Sequence, residues 1–216
     1  MYKSTTRQIM QALLVLVATS LSLSTLAASR LPASARATPA TPQLTQSYVW
    51  YDGDREQTVW VNPQAVAEFN PGKSGESAIR SADTNATEIP MQRAQQGVRL
   101  WQMNNTSDTA IRGMSSHNPT GKYSPVFHDG PSSSAGMRAL PGNIIVYLNP
   151  AWDASLVDAW IKKRKLEIVK KLDIGPNIYV FKTGPGLEAL DTANTLYKSG
   201  EVNAAFPDWW QGVVAK

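Results

Sequence analysis

No cysteine occurs among the 216 residues of this chain. Disulfide staples and thiolate metal sites are thereby excluded, and the fold has to rest on ordinary apolar cores. Histidine is nearly as scarce. His117 and His128 are the only two, and they lie in a polar stretch without the paired spacing of a zinc site. A catalytic triad needs a strong nucleophile motif as well as an oriented base, and no such motif is present. The chain is therefore expected to be no enzyme and to use no cofactor and no metal. A large excess of one charge is missing too. Lys and Arg number 21 against 17 Asp and Glu, a formal net charge of +4. That is too small to argue for a nucleic-acid partner or an anionic membrane. Long apolar runs are confined to the N-terminus, so the rest of the chain is expected to be soluble.

The N-terminus itself reads as a processing signal. Lys3 and Arg7 give a positive start, an apolar stretch follows from Ala12 to Val17 and on through Ser and Leu, and Thr25-Leu26-Ala27 supplies a small-residue cleavage site. Residues 1–27 are expected to be a signal peptide, and the segment is short and Ser-rich for a membrane-spanning helix. Cleavage removes two bases and no acid, so the formal charge falls from +4 to +2. The product is expected in the periplasm or outside the cell, with no membrane attachment.

What is present then divides the chain. Residues 28–46 are Pro, Ala, Thr and Ser with little to bury, a flexible linker. Tyr48-Val49-Trp50-Tyr51 and Thr58-Val59-Trp60-Val61 favour strands, and Asp52-Gly53 between them is a hairpin signal. Ala65–Phe69 and Val98–Met103 add candidate third and fourth strands, giving a small β-rich N-terminal domain over 47–103. Asp52-Gly53-Asp54 lacks the spacing of a calcium loop. Residues 104–138 are rich in Asn, Ser, Thr, Gly and Pro and offer only Tyr123, Val126 and Phe127 to a core. They read as a long polar surface connection, with a glycosylation-type triplet at Asn105-Thr106-Ser107.

From 139 to 208 the pattern is clearer. Ile144–Leu148 is a β-branched apolar run. Asp153 to Lys165 is helical, with Leu156, Val157, Trp160 and Ile161 on one face and its cations at the C-terminal end, as the helix dipole prefers. Glu167-Ile168-Val169 and Ile178–Phe181 make a strand pair. A second helix carries Leu187, Leu190, Ala193 and Tyr197 on its buried stripe and stops at Gly200. Val202 to Phe206 is the last strand. The order β-α-β-β-α-β predicts an α+β, ferredoxin-like domain, two helices on one face of a four-stranded antiparallel sheet.

Several stretches carry a family likeness: Leu140-Pro141-Gly142-Asn143-Ile144-Ile145-Val146, Lys165–Val169, Ile178–Phe181, and above all Ala193 to Val202 continuing through Ala204-Ala205-Phe206-Pro207-Asp208-Trp209-Trp210. These resemble the propeptides of secreted bacterial subtilases, and the aromatic hairpin around Tyr51-Asp52-Gly53 looks like the strand pair ahead of such propeptides. Together with a chain that ends at Lys216 with no protease sequence behind it, the layout resembles the external chaperones of bacterial kexin-like serine proteases (the ASP external chaperone family). The resemblance implies a partner in trans, one subtilisin/kexin-type protease per chain, which the chaperone helps to fold and then inhibits. It implies docking of the sheet on two enzyme helices, with the C-terminal tail in the active-site cleft.

On that likeness residues 209–216 are the tail. Val213, Val214 and Ala215 suit an added strand along the cleft, and Lys216 would pair with an acidic specificity pocket. Trp209 and Trp210 are the expected protease-binding aromatics, one at the interface and one on its own sheet edge. The basic cluster Lys162-Lys163-Arg164-Lys165 with Lys170-Lys171 is expected to be a solvated helix end, an internal cut site for a dibasic-specific partner being the rarer alternative. Two other functions compete: a pure inhibitor without a folding role, and a cell-surface or structural module that binds no protease.

Overall fold

A two-residue reversal joins the first two strands. Gly53 has φ +65°, a conformation glycine adopts without a Cβ clash, and Asp54 completes the turn. Only the first central position is left-handed, the pattern of a type II′ hairpin, so the turn sits one residue later than the Asp-Gly pair suggests. The turn joins β1 (Ser47–Asp52) to β2 (Arg55–Phe69) in an unbroken antiparallel register from Ser47↔Trp60 to Asp52↔Arg55. The computed structural model describes residues 43–71, 78–91, 97–104, 106–118, 120–132 and 136–212. The expected signal peptide at 1–27, most of the expected linker, the Asn105 position and the tail residues Val213, Val214, Ala215 and Lys216 lie outside the described residues.

The expected third strand is the second half of β2. Pro63 lies between the halves, and the register against the neighbouring strand shifts between Val61 and Val66. Proline cannot donate to a ladder, so a long strand carries it at such an irregularity. Next come α1 (Ala78–Ala82), β3 (Thr87–Ile89), β4 (Val98–Gln102), α2 (Asp108–His117), β5 (Lys122–His128) and β6 (Met137–Ala139). A last short strand, β11 (Trp210–Gln211), returns to the same sheet. The strand order is β11-β6-β5-β2-β4-β3, with β1 also paired to β2. Every pairing is antiparallel.

Residues 104–138 depart most from the sequence expectation. They hold α2, capped by Ser107, whose hydroxyl accepts from the Ala110 N–H, and β5, an inner strand of the sheet. Six of the seven β5 residues are buried. Part of the expected polar connection is instead in the core, with Ile111, Met114, Tyr123, Val126 and Phe127 all buried. His128 ends β5 at 1% exposure, its Nε2 3.3 Å from Asn62 Nδ2.

The second sheet follows in chain order: β7 (Asn143–Tyr147), α3 (Ala154–Arg164), β8 (Glu167–Lys171), β9 (Ile178–Lys182), α4 (Leu187–Lys198) and β10 (Ala204–Pro207). Its strands lie in the order β10-β7-β9-β8, all antiparallel. Asp153 caps α3 through a 2.9 Å bond from the Leu156 N–H. Lys165 ends the helix at φ +54°. Val157, Trp160 and Ile161 are buried, but Leu156 is 53% exposed, a correction to the expected stripe. At 100° per residue Leu156 is rotated off the centre of that stripe.

The chain is thus a mixed α+β protein with antiparallel sheets, and the described residues from 43 onward fall within one compact unit. One apolar cluster crosses both sheets. Trp50, Val59, Val61 and Phe127 from the first sheet pack with Ile144, Val146, Phe181, Leu190 and Leu196 from the second. Helix α4 touches β7 and β10 on one side and β1 on the other. Asn194 Nδ2 donates to the Val49 carbonyl at 2.8 Å, and Tyr51 stacks on Tyr197 at 4.4 Å. Leu140 stitches the seam: its N–H donates to Ser124 Oγ and its carbonyl accepts from the Gly186 N–H, both at 3.0 Å. No helix among the described residues is long and apolar enough to cross a membrane.

Candidate interaction surface

Register decides which side chains of the second sheet look outward, since directly paired residues of antiparallel strands share a face. Ile144 pairs with Phe181 and Pro207, and Val146 with Tyr179 and Ala205. Ile144, Val146, Phe181 and Ala205 belong to the cluster that includes the buried residues of α3 and α4, so this is the helix face. Ile145 pairs with Val180 and Phe206, and Tyr147 with Ile178 and Ala204. That opposite face is apolar as well. Ile145, Tyr147 and Phe206 are half-buried, with the Tyr147 and Phe206 rings 5.7 Å apart. Its centre is covered, with Ile178 and Val180 buried at 5% and 3%, and Phe206 also packs against the shared apolar cluster. The signal was present in the sequence: β7 is apolar at four successive positions, Ile144 to Tyr147. A strand in a two-layer unit needs only alternate ones.

The chain leaves this sheet at a fixed corner. The Asp208 N–H donates to the Asn143 carbonyl at 3.1 Å. Trp209 then turns into the seam between the sheets, its ring 5.5 Å from Trp50 and 5.4 Å from Phe127, both edge-on. The Arg138 guanidinium lies over the Trp50 and Trp209 rings at 5.7 and 5.9 Å, and it is ion-paired with Asp129. Trp210 opens β11, opposite Ala139 of β6, and its ring meets Phe69 of β2 edge-on at 6.2 Å. In a flat sheet β11 and β2 would stand about 14 Å apart, three strand spacings, so the first sheet curls to bring them together. The Gly212 N–H donates to the Met137 carbonyl, the last tie before the undescribed residues.

The two tryptophans expected at a protease interface therefore both pack within their own chain, and on different neighbours. Neither indole Nε1 has an acceptor among the described residues, although both atoms are buried. Both rings are half-buried.

A second polar constellation ties the second sheet's helices together. Glu201, in the turn between α4 and β10, accepts from Arg164 Nε and Trp160 Nε1, each at 2.9 Å, and from Lys163 Nζ at 3.3 Å. The Arg164 bonds, then the indole, hold its carboxyl down at about 2. Part of the basic cluster is thus engaged rather than merely solvated. In the first sheet burial raises the Tyr123 hydroxyl above its ordinary value, while Asn118 Nδ2 donates to it at 3.2 Å. Among the described residues no group of three or more His, Asp or Glu could hold a metal. Comparison with family models, with curated proteins and with solved structures returns no match to this chain.

Proposed function

We propose that this chain is an exported, non-enzymatic chaperone and inhibitor of a subtilisin/kexin-type serine protease. We read its second sheet as a ferredoxin-like βαββαβ unit that docks as a propeptide does. The carrying observation is the apolar face of that sheet turned away from its own helices, where Ile145, Tyr147 and Phe206 are partly exposed around the buried Val180. On this reading the partly exposed side chains of that face meet helices of the partner. The element order β7-α3-β8-β9-α4-β10 and the strand order β10-β7-β9-β8 support the fold reading. Residues 213–216 complete the proposal as the segment that enters the cleft, Lys216 foremost. Trp209 and Trp210 keep a part in it by fixing where that segment begins.

Binding only to the folded protease stabilises it by mass action, about 2.7 kcal/mol at a hundredfold excess over the dissociation constant. Aromatic anchors at the centre of an interface typically cost about 2 kcal/mol or more when truncated, so Tyr147→Ala and Phe206→Ala should each weaken inhibition roughly thirtyfold. The test titrates the purified chain against a panel of subtilisin- and kexin-type proteases with a fluorogenic substrate. It repeats the titration with Tyr147→Ala/Phe206→Ala and with a chain lacking residues 213–216. Inhibition that both changes weaken is expected. Inhibition of no protease in the panel, or inhibition indifferent to both changes, overturns the reading. Refolding the denatured protease with and without the chain then separates chaperone from pure inhibitor.

A further inference from the structure

The charge of this protein is not spread evenly. Between Lys162 and Asp173 six cations face two carboxylates, a net +4, equal to the formal charge of the entire chain. This segment contains the end of α3 and all of β8. Strand β8 is the outer edge of the second sheet and, among the described strands, pairs only with β9. All five of its residues are exposed, including Ile168 at 45% and Val169 at 49%. Ile174, in the turn that follows, is 72% exposed. The other edge, β10, is in contact with β1.

We propose that the β8 edge is a docking site for an extended, acidic polypeptide segment, which joins the second sheet as a fifth strand. An edge strand offers a row of backbone N–H and C=O groups with no partner, the template for strand addition. Lysines and a bulge are the usual guards of such an edge, and β8 has both, the register slipping between Ile168 and Lys170. A guarded edge does not also need exposed Ile and Val, however. The lysines select rather than forbid. Lys162, Lys165 and Lys170 have no carboxylate partner among the described residues. A second copy of the chain would bring the same cations against them, so self-pairing is opposed, whereas an acidic strand gains on encounter and in register. Ile168 and Val169 supply the apolar contacts that a bare polyanion site would lack. This edge adjoins the face used above, since Lys170 pairs with Val180, but the inference does not depend on the protease reading.

The experiment uses the full chain and a blocked octapeptide of alternating Glu and Val. Octaglutamate, the same Glu–Val peptide with alternate amides N-methylated, and phosphatidylglycerol vesicles serve as comparisons. Binding is followed by amide shifts and hydrogen exchange at residues 167–171. The expected result is saturable binding of the Glu–Val peptide, weakened at least about tenfold when the salt is raised to about 1 M, where charges are screened within about 3 Å. Exchange along β8 should slow about tenfold or more, and Lys170→Glu/Lys171→Glu should lose at least about tenfold in affinity. N-methylation, which leaves the protein untouched, should abolish binding. Equal binding of octaglutamate or of the N-methylated peptide would show a polyanion patch and overturn strand addition. Vesicle binding without peptide binding, self-association through β8, or no peptide binding at all would overturn it too.

Discussion

Trp209 separates two accounts of the C-terminal region, and one substitution pair decides between them. If the ring is a structural plug between the sheets, Trp209→Ala opens a cavity against Trp50 and Phe127 and frees Arg138 from one of its two aromatic neighbours. Truncating a core Trp costs about 3–5 kcal/mol. Trp209 is half-buried, so about 3 kcal/mol is expected. Trp209→Phe behaves differently. It gives up roughly two methylene equivalents of burial, at about 0.8 kcal/mol each. It also removes an N–H that is buried without an acceptor among the described residues, a burden of about 1–3 kcal/mol. The two nearly cancel, and the Phe variant should lie within about 1 kcal/mol of the parent.

Urea unfolding followed by far-ultraviolet circular dichroism measures both. With a slope of about 2 kcal/mol per M, the Ala midpoint falls by about 1.5 M and the Phe midpoint hardly moves. A Trp209→Ala midpoint within about 0.5 M of the parent would refute the packing argument. If inhibition of a protease were lost at the same time, the ring would have to face the partner.

The other perturbations are simpler. Glu201 has its folded carboxyl lowered from 4.5 to about 2, so it stabilises the fold fully above pH 4.5, and that contribution is lost as the pH falls through about 2. The stability gap between the parent and Glu201→Gln should therefore be constant above about pH 5 and close toward pH 2, and a gap independent of pH counts against the cluster. Gly186 has φ +69° and a Cβ there would stand 2.9 Å from Pro125 Cδ, whereas Gly200, also at φ +69°, has open space. Gly186→Ala should then cost clearly more than the about 1 kcal/mol expected of Gly200→Ala, and equal losses in thermal unfolding would mean the seam is not tight at Gly186.

Local chemistry made some elements readable in the sequence. The β1–β2 hairpin, the Asp153 cap, the cationic end of α3 and the stop at Gly200 are each set by residues within a few positions of one another. β5 escaped because Pro125 argues against an inner strand. It is tolerated because β6 pairs only with Phe127 and His128, so the outer side of the strand at Pro125 has no ladder bond to lose. β11 escaped because two residues carry no periodicity, and its partner β6 lies some seventy positions earlier. The outward face of the second sheet was half legible. The apolar run of β7 was seen as a strand, but a strand alone does not say which of its faces stays partly exposed.

The shared core also determines what can be separated. The second sheet looks like a unit that could stand alone, yet α4 touches β1, and Trp50, Val59, Val61 and Phe127 of the first sheet share one apolar cluster with its buried residues. Each of these four side chains contributes about 1.5–3 kcal/mol by burial. Removing them all takes away roughly 6–12 kcal/mol of contacts, as much as the entire net stability of an ordinary domain. A fragment of residues 139–216 should therefore lack the cooperative unfolding and dispersed amide spectrum of the full chain, and residues 43–138 added in trans should restore both. A fragment that folds unaided would mean that the first sheet is an appendage. If it does not, the first sheet is part of any docking by the second, because it also fixes, through Trp209 and β11, the point from which the last residues depart.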